Sequence, residues 1–174
     1  MKLDSHFKKV LVTGLDSFTG TYLGPYLQKQ GYVVTGLRSD LTNRIDVIEE
    51  VKAIRPDYVI HLAAISFSAE TNIDEIYRVN VAGSLNLLDG LCSLDKIVKK
   101  VVLASSATVY GEQSATVLSE SMCPLPVSHY GCSKLAMEHM ARTYFDKLPI
   151  LVVRPFNYTG IGHAEHFLIP KIMK

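Results

Sequence analysis

The run Lys8-Lys-Val-Leu-Val-Thr-Gly-Leu-Asp-Ser-Phe-Thr-Gly20, with its continuation to Leu37, decides the fold. Lys8 to Thr13 reads as a buried strand that runs straight into a turn bounded by Gly14 and Gly20. A helical stretch comes next, with Leu23 and Leu27 one turn apart, and stops at Gly31. Tyr32 to Leu37 reads as a second strand. Strand, glycine turn, helix and strand in this order are the setting in which such a turn binds a dinucleotide. The free N–H groups and partial positive charge of the helix N-terminus hold a pyrophosphate. Ser17 stands where the middle glycine of the usual pattern lies, and its hydroxyl can itself donate to a phosphate oxygen. Asp16 repels a pyrophosphate unless it points away.

After the second strand come Arg38, Ser39 and Asp40. An acid there accepts from the adenosine ribose and favours NAD, whereas an Arg pairs with the extra phosphate of NADP. Arg38 and Ser39 tilt the expectation towards NADP; Asp40 restores NAD if the strand runs further. Thr42 is read as the cap of a helix from about Asn43 to Arg55, ended by Pro56. Tyr58 to Ala63 is a third strand, with His61 a core histidine and Ala63-Ala64 small enough to pack against a flat ring. Ligands in such sheets bind at these strand ends. Asn72 to Cys92 reads as one long helix whose inner face is Ile73, Ile76/Tyr77, Val81, Ser84/Leu85, Leu88 and Leu91/Cys92. Asn80 adjoins that face, and a buried amide must be hydrogen-bonded. A fourth strand, Val101 to Ala104, leads to Ser105-Ser106, and Glu112 to Pro126 reads as a loop. Ser128 caps a helix that begins at about Tyr130 and extends to about Lys147, and Ile150 to Val153 is the last strand. Alternating strands and helices predict an α/β fold: one doubly wound, mostly parallel, Rossmann-like sheet spanning residues 1–174.

The stretch from Ser105 to Lys134 carries the chemistry. Tyr130 and Lys134 are four apart and share a helix face. A strand-end Ser facing a Tyr–Lys pair can bind, polarise and protonate a carbonyl oxygen. His163 and His166 have the spacing of a metal pair, but no third ligand is evident, so they read as solvated loop histidines. The net charge of +1, with only Lys96, Lys99 and Lys100 clustered, gives no basic track for nucleic acid or an anionic membrane. The first residues lack an apolar signal core, and the three cysteines form no close pair. A reducing cytoplasm is the expected compartment.

Several signals share one order: Thr-Gly-x-x-x-Phe-x-Gly after a first strand, Asp40-Leu41, His-Leu-Ala-Ala, Asn80, Ser-Ser-Ala-Thr-Val-Tyr-Gly, Tyr-x-x-x-Lys and Arg-Pro-Phe-Asn. Together they resemble the extended short-chain dehydrogenase/reductases, the nucleotide-sugar epimerases, dehydratases and reductases, from about Lys8 to Lys174. The resemblance implies that Ser106, Tyr130 and Lys134 are catalytic, with Tyr130 the acid/base. It implies that Gly14, Ser17, Phe18, Thr19 and Gly20 line the cofactor's pyrophosphate. Arg38, Asp40 and Leu41 meet its adenosine end, Leu62, Ala63 and Ala64 its ribose, and Pro155 the nicotinamide. Asn80, Ser105, Tyr130 and Lys134 complete the cofactor site, and Ser66, Ser106, Tyr130 and Asn157 face the sugar nucleotide. No metal is implied, and a homodimer through the Asn80 and Tyr130 helices is.

Dehydratases resembling this chain carry an acidic pair where Ala107 and Thr108 stand, so elimination is not expected. Ser-Ala-Thr-Val-Tyr-Gly looks like hexose 4-epimerases with tightly bound NAD. The longer Arg-Pro-Phe-Asn-Tyr-Thr-Gly-x-Gly-His, with Phe167-Leu-Ile-Pro-Lys-Ile, looks like reductases of GDP-4-keto-6-deoxy-mannose. The longer match sets the expectation of NAD(P)H-dependent reduction of a nucleotide-linked 4-keto-6-deoxyhexose. Lys134 is expected to lower the Tyr130 pKa. The family places a substrate lobe after the Arg-Pro-Phe-Asn strand, so residues 155–174 are expected to be the start of a truncated lobe. A non-catalytic dinucleotide-binding module is the rival expectation.

Overall fold

The computed structural model describes residues 8–66, 72–114, 117–165 and 168–172. Among them, strands β1 (Lys9–Thr13), β2 (Val33–Gly36), β3 (Tyr58–His61), β4 (Lys100–Ala104) and β5 (Ile150–Val153) form one sheet. Its order is β2-β1-β3-β4-β5 and every pairing is parallel. Each strand is a short apolar run, as a sheet buried between helices requires. The order reverses direction between β1 and β3, and the crevice beyond their C-terminal ends is where such sheets take ligands. Gly14 and Ala63 meet there: a Cβ on Gly14 would lie 3.0 Å from the Ala63 nitrogen. Gly14 also has φ +70, which favours glycine.

Helix α1 (Phe18–Lys29) covers one face, next to β2. On the other face lie α2 (Arg44–Ile54), α4 (Ser84–Cys92) and α5 (His129–Arg142). There Leu11, Val59, Val101 and Leu103 from the sheet pack with Val47, Val51, Leu87, Leu88, Leu91, Met137 and Ala141 from the helices. The short helices α3 (Ile73–Tyr77) and α6 (Leu168–Ile172) complete the elements described.

Local chemistry explains the ends. Ser17 caps α1 by accepting from the Gly20 N–H, and Ser128 caps α5 by accepting from the Gly131 N–H. Asn43, not Thr42, caps α2, because Thr42 donates through its N–H and its hydroxyl to Asp40. Helix α5 ends at Arg142 rather than near Lys147, β3 ends at His61 rather than Ala63, and Lys96 pairs with Asp57 at 3.0 Å.

The expected long helix is broken. Between α3 and α4, residues Arg78–Gly83 adopt a π-helical turn. One extra residue rotates the later turns by about 100° relative to the earlier ones. Of the expected inner positions, Ile73, Leu85 and Cys92 come out exposed, while Ser84, Leu88 and Leu91 stay buried and Asn86 and Leu87 join them. His166 and Phe167 lie outside the described residues. No described helix is long and apolar enough to cross a membrane.

Candidate active site

A cavity of about 700 Å³ opens at the C-terminal ends of β1, β3, β4 and β5. The turn into α1 borders it through Asp16, Ser17, Phe18, Thr19 and Thr21, so Asp16 does not stand clear of the cavity. The segment after β3 adds Leu62, Ala64 and Ser66, and the end of β4 adds Ala104, Ser105, Ser106 and Thr108. Tyr130 and Lys134 reach in from α5, and the segment after β5 closes the wall with Pro155 to Thr159 and Gly162 to Ala164. The three residues expected to be catalytic thus share one cavity. Ser106 follows β4 and the other two lie on α5, so the β4–α5 connection brings them together.

Ser106 leaves β4 in extended conformation and caps a short 3₁₀ turn, Ala107–Tyr110. Its oxygen accepts from the Thr108 N–H at 3.2 Å and from the Thr108 hydroxyl at 2.9 Å. The Lys134 ammonium donates to the Ala104 carbonyl at 2.7 Å and lies 5.9 Å from the centre of the Tyr130 ring. Burial lowers the Lys134 pKa to about 8. Burial also raises the Tyr130 pKa, partly offset by a hydrogen bond from Ser106. The expected lowering by Lys134 is not realised here: the ammonium faces the Ala104 carbonyl rather than the phenol oxygen. A phenol held in its protonated form suits proton donation to a carbonyl oxygen.

One turn beyond Lys134, Glu138 is nearly buried and accepts from the Ser105 hydroxyl and from Arg154 at 2.9 and 2.6 Å. Burial opposes this charge, but Arg154 and Ser105 outweigh it and lower the carboxyl pKa. The Arg154 guanidinium also stacks 4.8 Å above the Tyr110 ring. Sequence reasoning does not single out Glu138 and Arg154; the acid placed one helical turn after Lys134 is the signal that could have found them.

Residues 156–163 form a strap across the start of α1. His163 stacks on Phe18 with ring centres 4.4 Å apart, so it is not the solvated histidine expected. The Tyr22 hydroxyl donates to the Ile161 carbonyl at 2.6 Å, and Thr19 and Tyr158 share a hydrogen bond. No group of three or more potential metal ligands occurs among the described residues.

Other expected residues stand behind the cavity. Gly20 packs on the turn itself, where a Cβ would fall 2.3 Å from the Gly14 carbonyl oxygen. Gly14 and Ala63 floor the crevice through their mutual contact. Asn80 is buried and tied to the Ile65 backbone at both ends of its amide. The Leu41 side chain belongs to the core rather than to a ligand surface. At the end of β2, Arg38 and Asp40 are exposed. Asp40 is turned to Thr42, whose N–H and hydroxyl lower its pKa. The Glu50 carboxylate accepts from the Arg38 N–H, the Ser39 N–H at 2.7 Å and the Ser39 hydroxyl at 2.6 Å. The donors expected to meet an NADP phosphate are thus partly occupied.

A dinucleotide fits these residues. The crevice between β1 and β3 is kept clear of side chains at Gly14, the first turn of α1 carries no acid, and Ser17 and Thr19 border the cavity; Asp16, just ahead of the Ser17 cap, also lines it and opposes a pyrophosphate placed beside it.

The chain is 39% identical over 170 residues to the GDP-6-deoxy-D-talose 4-dehydrogenase of Aggregatibacter actinomycetemcomitans, covering 95% of this chain and 58% of that protein. It superposes with a TM-score of 0.81, at 30% identity, on RMD from Pseudomonas aeruginosa complexed with NADPH, covering 92% of this chain and 57% of that one. It superposes with a TM-score of 0.78, at 28% identity, on UDP-glucose 4-epimerase from Brucella ovis in complex with NAD, covering 86% and 52%. The chain thus spans somewhat more than half the length of these relatives. Residues 10–174 match the NAD dependent epimerase/dehydratase family, to which this Rossmann-like chain belongs.

Proposed function

We propose that the chain carries the cofactor and catalytic groups of an enzyme that reduces a nucleotide-linked 4-keto-6-deoxyhexose with NAD(P)H. The observation that carries this reading is the convergence of Ser106, a protonated Tyr130 and Lys134 on one cavity. Similarity to a dehydrogenase named for a GDP-linked 6-deoxy sugar supports the substrate class.

Ser106 hydrogen-bonds the keto oxygen and orients the carbonyl. Tyr130 gives that oxygen its proton as the carbon is reduced. The hydride would come from a reduced nicotinamide bound in this cavity. Lys134, through its bond to the Ala104 carbonyl, ties α5 to the end of β4 and so holds Tyr130 beside Ser106. Ser17 and Thr19 at the start of α1 hold the pyrophosphate, and Asn157 faces the sugar nucleotide. The exposed Arg38 guanidinium supports acceptance of NADP, acting without the Ser39 donors that Glu50 occupies.

The test is a fluorescence titration of the chain with NADPH and NADH, with and without GDP-linked sugars. Binding of either dinucleotide, altered by a GDP-sugar, is the expected result. Failure of both dinucleotides to bind would sink the reading. A second reading, a 4-epimerase with tightly held NAD, is supported by the likeness to UDP-glucose 4-epimerase. It predicts NAD that stays with the chain through purification, whereas the reductase reading predicts a cofactor that exchanges.

A further inference from the structure

His61 takes no part in the proposed reduction, yet it is titratable and only 1% exposed. Its two ring nitrogens lie within a hydrogen-bond chain whose direction is fixed. The Ser84 hydroxyl donates to the Asn80 carbonyl at 2.7 Å, so its one proton is used there. Ser84 therefore meets His61 Nε2, at 2.8 Å, as an acceptor, and Nε2 carries the hydrogen. A neutral ring has one N–H, which leaves Nδ1 to accept from the Thr13 hydroxyl at 2.6 Å. The Thr13 oxygen in turn accepts from the Ala63 N–H at 3.1 Å. Burial, with the Lys134 charge, lowers the His61 pKa to about 3, which keeps the ring neutral.

The far end of the chain of bonds holds the same segment a second time. The Asn80 amide accepts from the Ile65 N–H at 2.8 Å and donates to the Ile65 carbonyl at 3.0 Å. It also donates to Ser133, which donates to the Tyr130 carbonyl at 2.8 Å. Residues 63 and 65 are thus tethered away from the cavity. Leu62, Ala64 and Ser66, alternating with them, line it. A slip of one residue would exchange the two sets.

We propose that His61, with its hydrogen on Nε2, is a positioning residue that fixes which face of residues 62–66 meets the cofactor. This rests on the dinucleotide reading of the cavity.

The experiment combines nitrogen NMR of the histidine-labelled chain with dinucleotide affinity in Thr13→Val and Thr13→Ser. The expected spectrum shows His61 as the Nε2–H tautomer, unchanged between about pH 8 and pH 5. Thr13→Val removes both the donor to His61 and the acceptor for Ala63. It should weaken NADH or NADPH binding roughly tenfold at unchanged circular dichroism, and Thr13→Ser should restore it. An Nδ1–H tautomer, a His61 that titrates near its ordinary value, or a Thr13→Val chain that binds like the parent overturns the proposal. If the parent binds neither dinucleotide, the cofactor reading itself falls and takes the positioning role with it.

Discussion

At the scale of single residues, the proposed reduction turns on Tyr130. Tyr130→Phe keeps the ring and removes the proton, so turnover should fall by roughly 10²-fold or more while dinucleotide affinity stays nearly constant. Steady-state kinetics paired with cofactor titration checks this, and normal turnover in the variant would remove Tyr130 from its role. Glu50 offers an equally sharp test. Its carboxylate is kept ionised by the Ser39 hydroxyl and the Arg38 and Ser39 N–H groups, which outweigh its burial. Glu50→Gln removes a negative charge beside the expected phosphate position, so NADPH affinity should rise relative to NADH by about threefold to tenfold. Equal affinity ratios in parent and variant would place the adenosine phosphate elsewhere. Sequence pointed to Ser106, Tyr130 and Lys134, which the fold brings to one cavity, because their types and order suit the proposed chemistry. It did not show Glu50, because its partners are mainly backbone N–H groups that almost any residues would carry.

At the scale of elements, the site depends on how α5 is docked against the ends of β4 and β5. Arg154 follows β5, Glu138 sits on α5, and Ser105 follows β4, so one carboxylate joins three elements. Arg154→Met leaves a nearly buried carboxylate without its partner. The cost should be roughly 3 kcal/mol, read as a lower midpoint in urea at unchanged slope. A loss below about 0.5 kcal/mol would mean the pair acts as a surface ion pair. The π-helical turn, Arg78–Gly83, belongs to the same scale. Helical periodicity cannot reveal it, since both flanks remain helical and only their relative rotation changes. It is held by Ser84 bonding back to Asn80 and by close approach of Gly83 to Leu41, where a Cβ would lie 2.9 Å from the Leu41 Cβ. The strands were far easier to read, because each is a short apolar run, and β1 and β4 lead straight into small residues, Gly14 and Ser105, at the crevice.

At the scale of the whole molecule, two buried basic groups add to a pH response shared with the carboxylates that the fold holds ionised and with Tyr144, whose pKa burial pushes up to about 12. His61 has its pKa lowered from 6.5 to about 3 in the fold. The unfolded chain therefore takes up more protons between these values. The stability His61 contributes is complete above pH 6.5 and is lost as pH falls towards 3. Lys134 has its pKa lowered from 10.5 to about 8, so its contribution is greatest above 10.5 and declines as pH falls to 8. Melting temperature followed against pH should thus rise through the acid limb and rise again from about pH 8 towards pH 10, above which ionisation of Tyr144 in the unfolded chain opposes it. Lys134→Met should abolish the alkaline rise alone, and an unchanged alkaline limb in that variant would contradict the burial argument. The overall sheet was legible from sequence, yet the strap was not. Tyr158 and His163 carry no local pattern that points to Phe18, and only the assembled sheet brings them there.

The strap has a consequence for the order in which the molecule comes together. Its contact between Tyr22 and Ile161 joins positions 139 residues apart, almost the full length of the chain. Such a contact forms only after the intervening strands have found their places. The wall over the first turn of α1 is therefore among the last parts to assemble. A refolding chain should regain its helical signal before it can bind a dinucleotide, so that nucleotide fluorescence marks the final step of folding and not its early collapse.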